Sequence, residues 1–259
     1  MSRLGTYLYG VMRAGTESPE GVRGIEADTP VCVLDCANLA VVTSLVPLDA
    51  FEGDGPEDPA WVVPRALQHE VVIETMMARG PILPVRFGTL FTTPAAIAEL
   101  VAANREAVAR FLDHVADKEE WTLKVHVELG SALESLVMDD PAWAQRVGRL
   151  SASPGTRYFQ EKRLREEARQ EVRRAARAVA LQVHTVARGL AEERVLAPRR
   201  PDRQDVEPVL HSAYLVPRPS VPAFLDRVQQ AAGAMSSLRL APSGPWPPSH
   251  FCPLLVQPR

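Results

Sequence analysis

Of the 23 prolines in this chain, none falls between Pro154 and Pro198. Proline inside a helix removes a hydrogen bond and clashes with the preceding turn, so a long gap in a proline-rich chain marks where a long helix can run. Within the gap, Leu164, Ala168, Val172, Ala175, Val179, Val183, Val186 and Leu190 recur every three or four residues. That spacing predicts a helix from Tyr158 to about Leu196 with a narrow apolar seam. A seam of this kind packs on the chain's own sheet or on a partner, and Leu164, Val172 and Val179 are its candidate partner contacts. The same helix concentrates positive charge in Arg157, Lys162, Arg163, Arg165, Arg169, Arg173, Arg174 and Arg177, interrupted by Glu161, Glu166, Glu167 and Glu171. Pairs such as Glu161 with Arg165 have helical ion-pair spacing, which favours a solvated charged face over a nucleic-acid footprint.

The clearest strand is Trp121 to Leu129, where Leu123, Val125, Val127 and Leu129 alternate with Thr122, Lys124, His126 and Glu128. Tyr7 to Val11 reads as an opening strand. Val31 to Asp35 and Leu39 to Val46 form a hairpin turning near Asn38. A helix is expected from about Pro64 to Arg79, stopped by Gly80-Pro81, with Leu67, Val71 or Val72, Thr75 and Met76 buried. Ile82 to Phe91 returns as a strand, and Thr93-Pro94 caps a helix reaching Ala116. Asp140-Pro141 opens a short helix, Pro154-Gly155 is a breaker, Val209 to Val216 is a strand, Pro222 to Ala232 a helix and Ser236 to Leu240 a last strand before a proline-rich tail. Strands with one apolar face need helices to cover it, so the order predicts an α+β chain of two units. We assign residues 1–116 to a modified ferredoxin-like domain with helices on one face of its sheet. Residues 117–259 form a second α/β domain with the long helix and the tail.

At 259 residues with a net charge of −3, the chain has length for two modest cores and no global attraction to polyanions. No apolar run is long enough to span a bilayer, and Met1 to Leu4 runs straight into a strand without a secretory signal, which predicts a cytoplasmic protein. Three cysteines give no disulfide framework. His69-Glu70 lacks the second histidine of a helical zinc motif, since Ile73 stands in its place. Neither a dinucleotide fingerprint, a phosphate-binding loop nor a serine elbow is present, and Asp140 is accounted for by capping. The residues alone therefore predict no catalytic, cofactor or metal site, leaving a small-molecule or cofactor-binding enzyme and a nucleic-acid adaptor as alternatives. Arg86 beside Phe87 is a further candidate contact, because arginine next to an aromatic ring serves a carboxylate or a π face.

Several segments carry a resemblance. Tyr7-Leu8-Tyr9-Gly10-Val11, Arg65 to Glu70 and Pro81 to Phe91 with its Pro-x-Arg-Phe-Gly-Thr core come first. Trp121 to Val125, Pro154 to Tyr158, Ala213 to Val216 and Gly244-Pro245-Trp246-Pro247-Pro248 follow in order. Together they resemble the GvpL/GvpF family of gas vesicle proteins almost end to end. The pattern's aromatic after the prolines is replaced by Ser249, which bears on Trp246 as a candidate contact. The resemblance implies an N-terminal modified ferredoxin-like domain and a second α/β domain. It further implies a cytoplasmic, non-catalytic accessory protein of the gas vesicle. Its implied partners are the small hydrophobic major shell protein and other accessory proteins, with neither nucleic acid nor membrane.

Overall fold

A computed structural model describes residues 3–52, 55–196 and 205–256. It contains two sheets with helices, in an α+β arrangement. The chain divides into one unit of Met1–Glu119 with Pro245–Arg259 and another of Glu120–Gly244. Sequence reasoning placed the tail with the second half; the chain instead returns to the first unit at Pro245.

In the first unit, β1 (Leu4–Arg13) is the central strand and is buried on both faces from Gly5 to Met12. The hairpin β2 (Cys32–Cys36) and β3 (Leu39–Pro47) turns through Ala37 (φ 50°) and Asn38 (φ 61°), two consecutive left-handed residues of the kind that match strand twist. Strand β3 pairs antiparallel to β1, with Tyr9 as an extra residue between Leu8↔Thr43 and Gly10↔Val42. Helix α1 (Pro59–Met77) starts earlier than expected, because Asp58 accepts from the Ala60 amide and Pro59 occupies the first turn, leaving Pro64 inside the helix. Its buried face is His69, Val72, Ile73 and Met76, while Leu67 and Val71 are exposed. The expected strand from Ile82 to Phe91 is two short strands, β4 (Ile82–Pro84) and β5 (Leu90–Phe91), both antiparallel to β1. Helix α2 (Pro94–Val115), capped by Thr93 as expected, lays Leu100, Val101, Val108 and Leu112 into the interior. The strand order is β2-β3-β1-β4, with β5 also on β1.

In the second unit, β6 (Lys118–Glu128) keeps the alternation read from the sequence, with Leu123, Val125 and Val127 fully buried. Leu129 does not continue the strand; it starts α3 (Leu129–Asp139). Asp140 caps α4 (Pro141–Gly148) through the Ala142 amide, as expected. Pro154-Gly155 is the first turn of the long helix rather than a breaker before it, since proline at that position loses no intrahelical bond. The helix α5 runs Pro154–Arg188 and ends about two turns short of expectation. A strand the sequence reading missed, β7 (Glu192–Val195), follows and pairs antiparallel with β8 (Val206–Pro217). The part of the predicted polar run at 197–204 lies outside the described residues. Helix α6 (Val221–Ala232) and β9 (Leu238–Trp246) complete a sheet ordered β7-β8-β6-β9.

Candidate functional site

Tyr7 and His69 meet under the Pro-x-Arg-Phe-Gly-Thr turn. His69 is 1% exposed, its Nε2 lies 3.1 Å from the Val85 carbonyl and its Nδ1 lies 3.0 Å from the Tyr7 hydroxyl. A carbonyl only accepts, so Nε2 carries the proton, and Nδ1 accepts from Tyr7. The same hydroxyl accepts the Gly88 amide at 2.9 Å. Burial pushes the His69 pKa down to about 4, holding the ring neutral at neutral pH, and drives the Tyr7 pKa upward. Both ring nitrogens are therefore committed to bracing a turn, which leaves no lone pair on His69 for a metal or a proton in transit.

The braced segment is a four-residue turn closed by the Thr89 amide on the Arg86 carbonyl at 3.2 Å. Gly88 sits third at φ 83°, a left-handed position that glycine takes without strain. The turn leaves the sheet edge between β4 and β5, and it presents Arg86 to solvent with no ion-pair partner among the described residues. Phe87 points the other way. Its ring lies 5.8 Å from His69 and 6.3 Å from Tyr7, so this candidate contact is half-buried in the core. Arg86, Phe87 and Glu70 line a cavity of about 560 Å³ with Leu83, Leu100 and the tail residue Leu254. Burial, helped by neighbouring Glu74, raises the Glu70 pKa.

The α5 seam packs on its own unit. Val172 is 3% exposed in the core with Leu123, Val183 and Phe224, and Val179 packs against the same cluster, so neither is offered to a partner. The expected seam holds only in part: the buried line is Ala168, Val172, Ala176, Ala180, Val183 and Ala187, with Ala175 exposed, and the choice between own sheet and partner is not encoded in a period. Leu164 is half-buried and lines a cleft of about 310 Å³ with Arg146, Arg149 and Arg163. Buried residues of α5 begin at Ala168, and Tyr158 and Phe159 on the first turns are exposed, ring to ring at 5.5 Å. Several of the helix's arginines are paired: Arg157 with Glu161, Arg163 with Glu167, and Arg173 in a two-bond fork with Glu207 at 2.9 and 2.6 Å. Trp246, at the end of β9, is 42% exposed.

One polar cluster escaped the sequence reading because its members come from three elements. Glu193 on β7 receives His184 Nδ1 at 3.0 Å, the Ser212 hydroxyl at 3.0 Å and Arg188 Nε at 3.5 Å. The serine points at the carboxylate and not at the imidazole, which is the wrong partner for a nucleophile and its base. Among the described residues no cluster of three metal-ligating side chains occurs, and no helix is long and apolar enough to cross a membrane.

Fold and site define a two-unit α+β protein whose buried histidine and tyrosines hold loops in place, with an exposed arginine turn at the edge of the first sheet. The family model described as gas vesicle synthesis protein GvpL/GvpF matches residues 5–253. The chain belongs to that family. It is 27% identical over 254 residues to gas vesicle protein L of Streptomyces sp. (strain CB03234), covering 95% of this chain and 91% of that one. It is 25% identical over 250 residues to gas vesicle protein F of the same strain, covering 96% and 99%. The crystal structure of GvpF from Anabaena sp. PCC7120 superposes with a TM-score of 0.69 at 17% identity, covering 99% of both chains. GvpF from Microcystis aeruginosa gives 0.63 at 19%, covering 96% and 99%. These two likenesses establish the fold.

Proposed function

We propose that this chain is a cytoplasmic accessory protein of gas vesicle assembly that works by binding, and that it covers or nucleates the hydrophobic shell protein together with other vesicle proteins. The observation that carries the reading is the family match across residues 5–253. A shell subunit with a strongly apolar face aggregates unless that face is covered before it joins the wall. The Arg86 turn and its cavity are the surface we assign to this contact, with Leu164 and Trp246 as secondary candidates. We read the work as non-catalytic, which agrees with a His69 whose two nitrogens are already bonded and with a Ser212 turned away from His184.

We also read both units as ferredoxin-like variants. The second has the element order strand, helices, strand, strand, helix, strand, with the sheet order β7-β8-β6-β9. The first has the same positional order, β2-β3-β1-β4, but a loop stands where the first helix belongs.

Deletion of the gene in a vesicle-forming host, complemented by wild type or by Arg86→Ala, tests the proposal under the electron microscope. Vesicles are expected to vanish on deletion, return with wild type and return poorly with the variant. Normal vesicles in the deletion strain overturn the assembly role. Co-purification and light scattering with shell protein test the partner: absence of both binding and delayed aggregation removes it.

A further inference from the structure

The C-terminal segment of the first unit is held as a ligand is held. Among the buried residues of α2, Asn104 is the one polar side chain, 4% exposed on a face otherwise built of Ile97, Leu100, Val101, Val108 and Leu112. A carboxamide there is costly unless its groups are bonded. Its Nδ2 donates to the Leu100 carbonyl and to the Val256 carbonyl, both at 2.8 Å, and its Oδ1 accepts the Val256 amide at 2.8 Å. Asn104 thus takes both backbone groups of one residue, as a neighbouring strand would. Recognition of that kind selects an extended chain and is nearly indifferent to its side chains.

At the end of the strap the hold is mainly through the backbone, since Leu254 is 93% and Val256 66% exposed, while upstream the Phe251 side chain is buried. Upstream, Cys252 Sγ approaches the Pro84 carbonyl at 3.7 Å, so the strap runs beside β4, the outer strand of the order β2-β3-β1-β4. It also supplies one wall of the Arg86 cavity, through Pro253, Leu254 and Leu255. An unpaired strand edge is a template for another chain, and here a terminal segment covers it. Pro245, Pro247, Pro248 and Pro253 restrict the conformations of the approach, which makes a short 3-10 turn at Ser249–Phe251 before the strap runs on to Val256.

We propose that the groove over Asn104 is a peptide-binding site that takes the C-terminal strap of a second copy of this chain in place of its own. Exchange of an identical element keeps every contact, so the only opposition is the effective concentration of the attached strap, typically about millimolar for a short tether. At concentrations of that order strap exchange links two copies. The proposal does not rest on the gas vesicle reading, and its test involves no vesicle component.

The test uses the full chain and a fluorescent peptide of residues 249–256, read by anisotropy, with sedimentation of the unlabelled chain alongside. Val256→Pro in the full chain deletes the amide that bonds Asn104 and changes only an exposed tail residue, so the attached strap competes less well for its groove. The unaltered peptide is expected to bind this variant about tenfold more tightly than wild type, the ratio expected for one lost hydrogen bond in the competing strap. Binding should disappear in Val256→Pro/Asn104→Ala, and in Val256→Pro when the peptide itself ends in proline, a control that leaves the protein untouched. Wild type should dimerise reversibly at near-millimolar concentration, where the attached strap loses its advantage, and Asn104→Ala should not. Equal peptide binding by all the variants, or none by any, overturns the groove. A wild type that stays monomeric throughout that range overturns the second copy as its occupant.

Discussion

Replacing His69 by phenylalanine tests the brace beneath the Arg86 turn most directly. The substitution keeps an aromatic ring between Tyr9 and Phe87 but orphans the Tyr7 hydroxyl proton and the Val85 carbonyl. Leaving two such groups without partners costs about 1–3 kcal/mol each, so a loss of about 2–6 kcal/mol is expected at pH 7. A second signature is the pH dependence. The unfolded imidazole titrates at 6.5 and the folded one at about 4, so the unfolded state binds more protons in that window. Stability is therefore full above pH 6.5 and drains as pH falls towards 4, by at most about 3 kcal/mol. Urea unfolding between pH 7 and pH 4, followed by hydrogen exchange at the Gly88 amide, reads the first unit locally. The advantage of wild type over His69→Phe should shrink steadily across the window. His126, whose pKa burial also lowers, is common to both proteins and cancels in the difference. A difference that stays constant from pH 7 to pH 4 refutes the assignment of a neutral, doubly bonded His69.

Arg86→Ala should change unfolding free energy by no more than about 0.5 kcal/mol while weakening shell-protein binding in co-purification, because the guanidinium makes no ion pair among the described residues. Phe87→Ala, which vacates the aromatic cluster, should cost about 3 kcal/mol in the same unfolding assay. Gly10→Ala should destabilise more than Gly88→Ala in thermal melts. At Gly10 an added methyl group meets the Leu83 carbonyl at 2.8 Å, whereas at Gly88 it meets open space and only the left-handed backbone, worth about 1–2 kcal/mol, resists it. Arg173→Lys should lose about 0.5–1 kcal/mol by removing the forked geometry on Glu207, a loss measurable by denaturant titration and eased by salt.

Element existence was legible in the sequence where the periodicity was long or the caps were strong. The alternation from Trp121, the caps at Thr93 and Asp140 and the proline gap before Pro198 all mark real elements. Boundaries slipped where one residue type has two uses. Pro154 was read as a breaker and the first helix was expected from Pro64, whereas Pro154 and Pro59 are each first-turn residues of a helix. Short strands β7 and β5 have too few residues to carry a period, and they exist because β8 and β1 offer them an edge. Around the candidate site, Arg86, Phe87 and Gly88 were visible as a cluster in the chain, but the path from Gly88 to Tyr7 spans 81 residues and that from Tyr7 to His69 spans 62. No local pattern encodes such a contact.

The two tyrosines of the opening strand explain how the loop between β1 and β2 is held over the sheet. Tyr7 and Tyr9 lie on one face of β1 with ring centroids 4.9 Å apart, and each hydroxyl holds an irregular segment. Tyr7 anchors the turn after β4 through Gly88 and His69. Tyr9 accepts the Ile25 amide at 2.8 Å and bonds Ser44 at 2.8 Å, pegging the loop between β1 and β2 so that Ile25 and Val31 cover the core. Irregular backbone over an apolar sheet would otherwise bury unbonded amides, which is the usual reason such a position is given to a helix. Tyr9→Phe should therefore raise hydrogen exchange at Ile25 and leave Gly88 protected, while Tyr7→Phe should do the reverse. If both variants loosen both segments alike, the strand works as one cooperative block and the separate roles of the two hydroxyls are refuted.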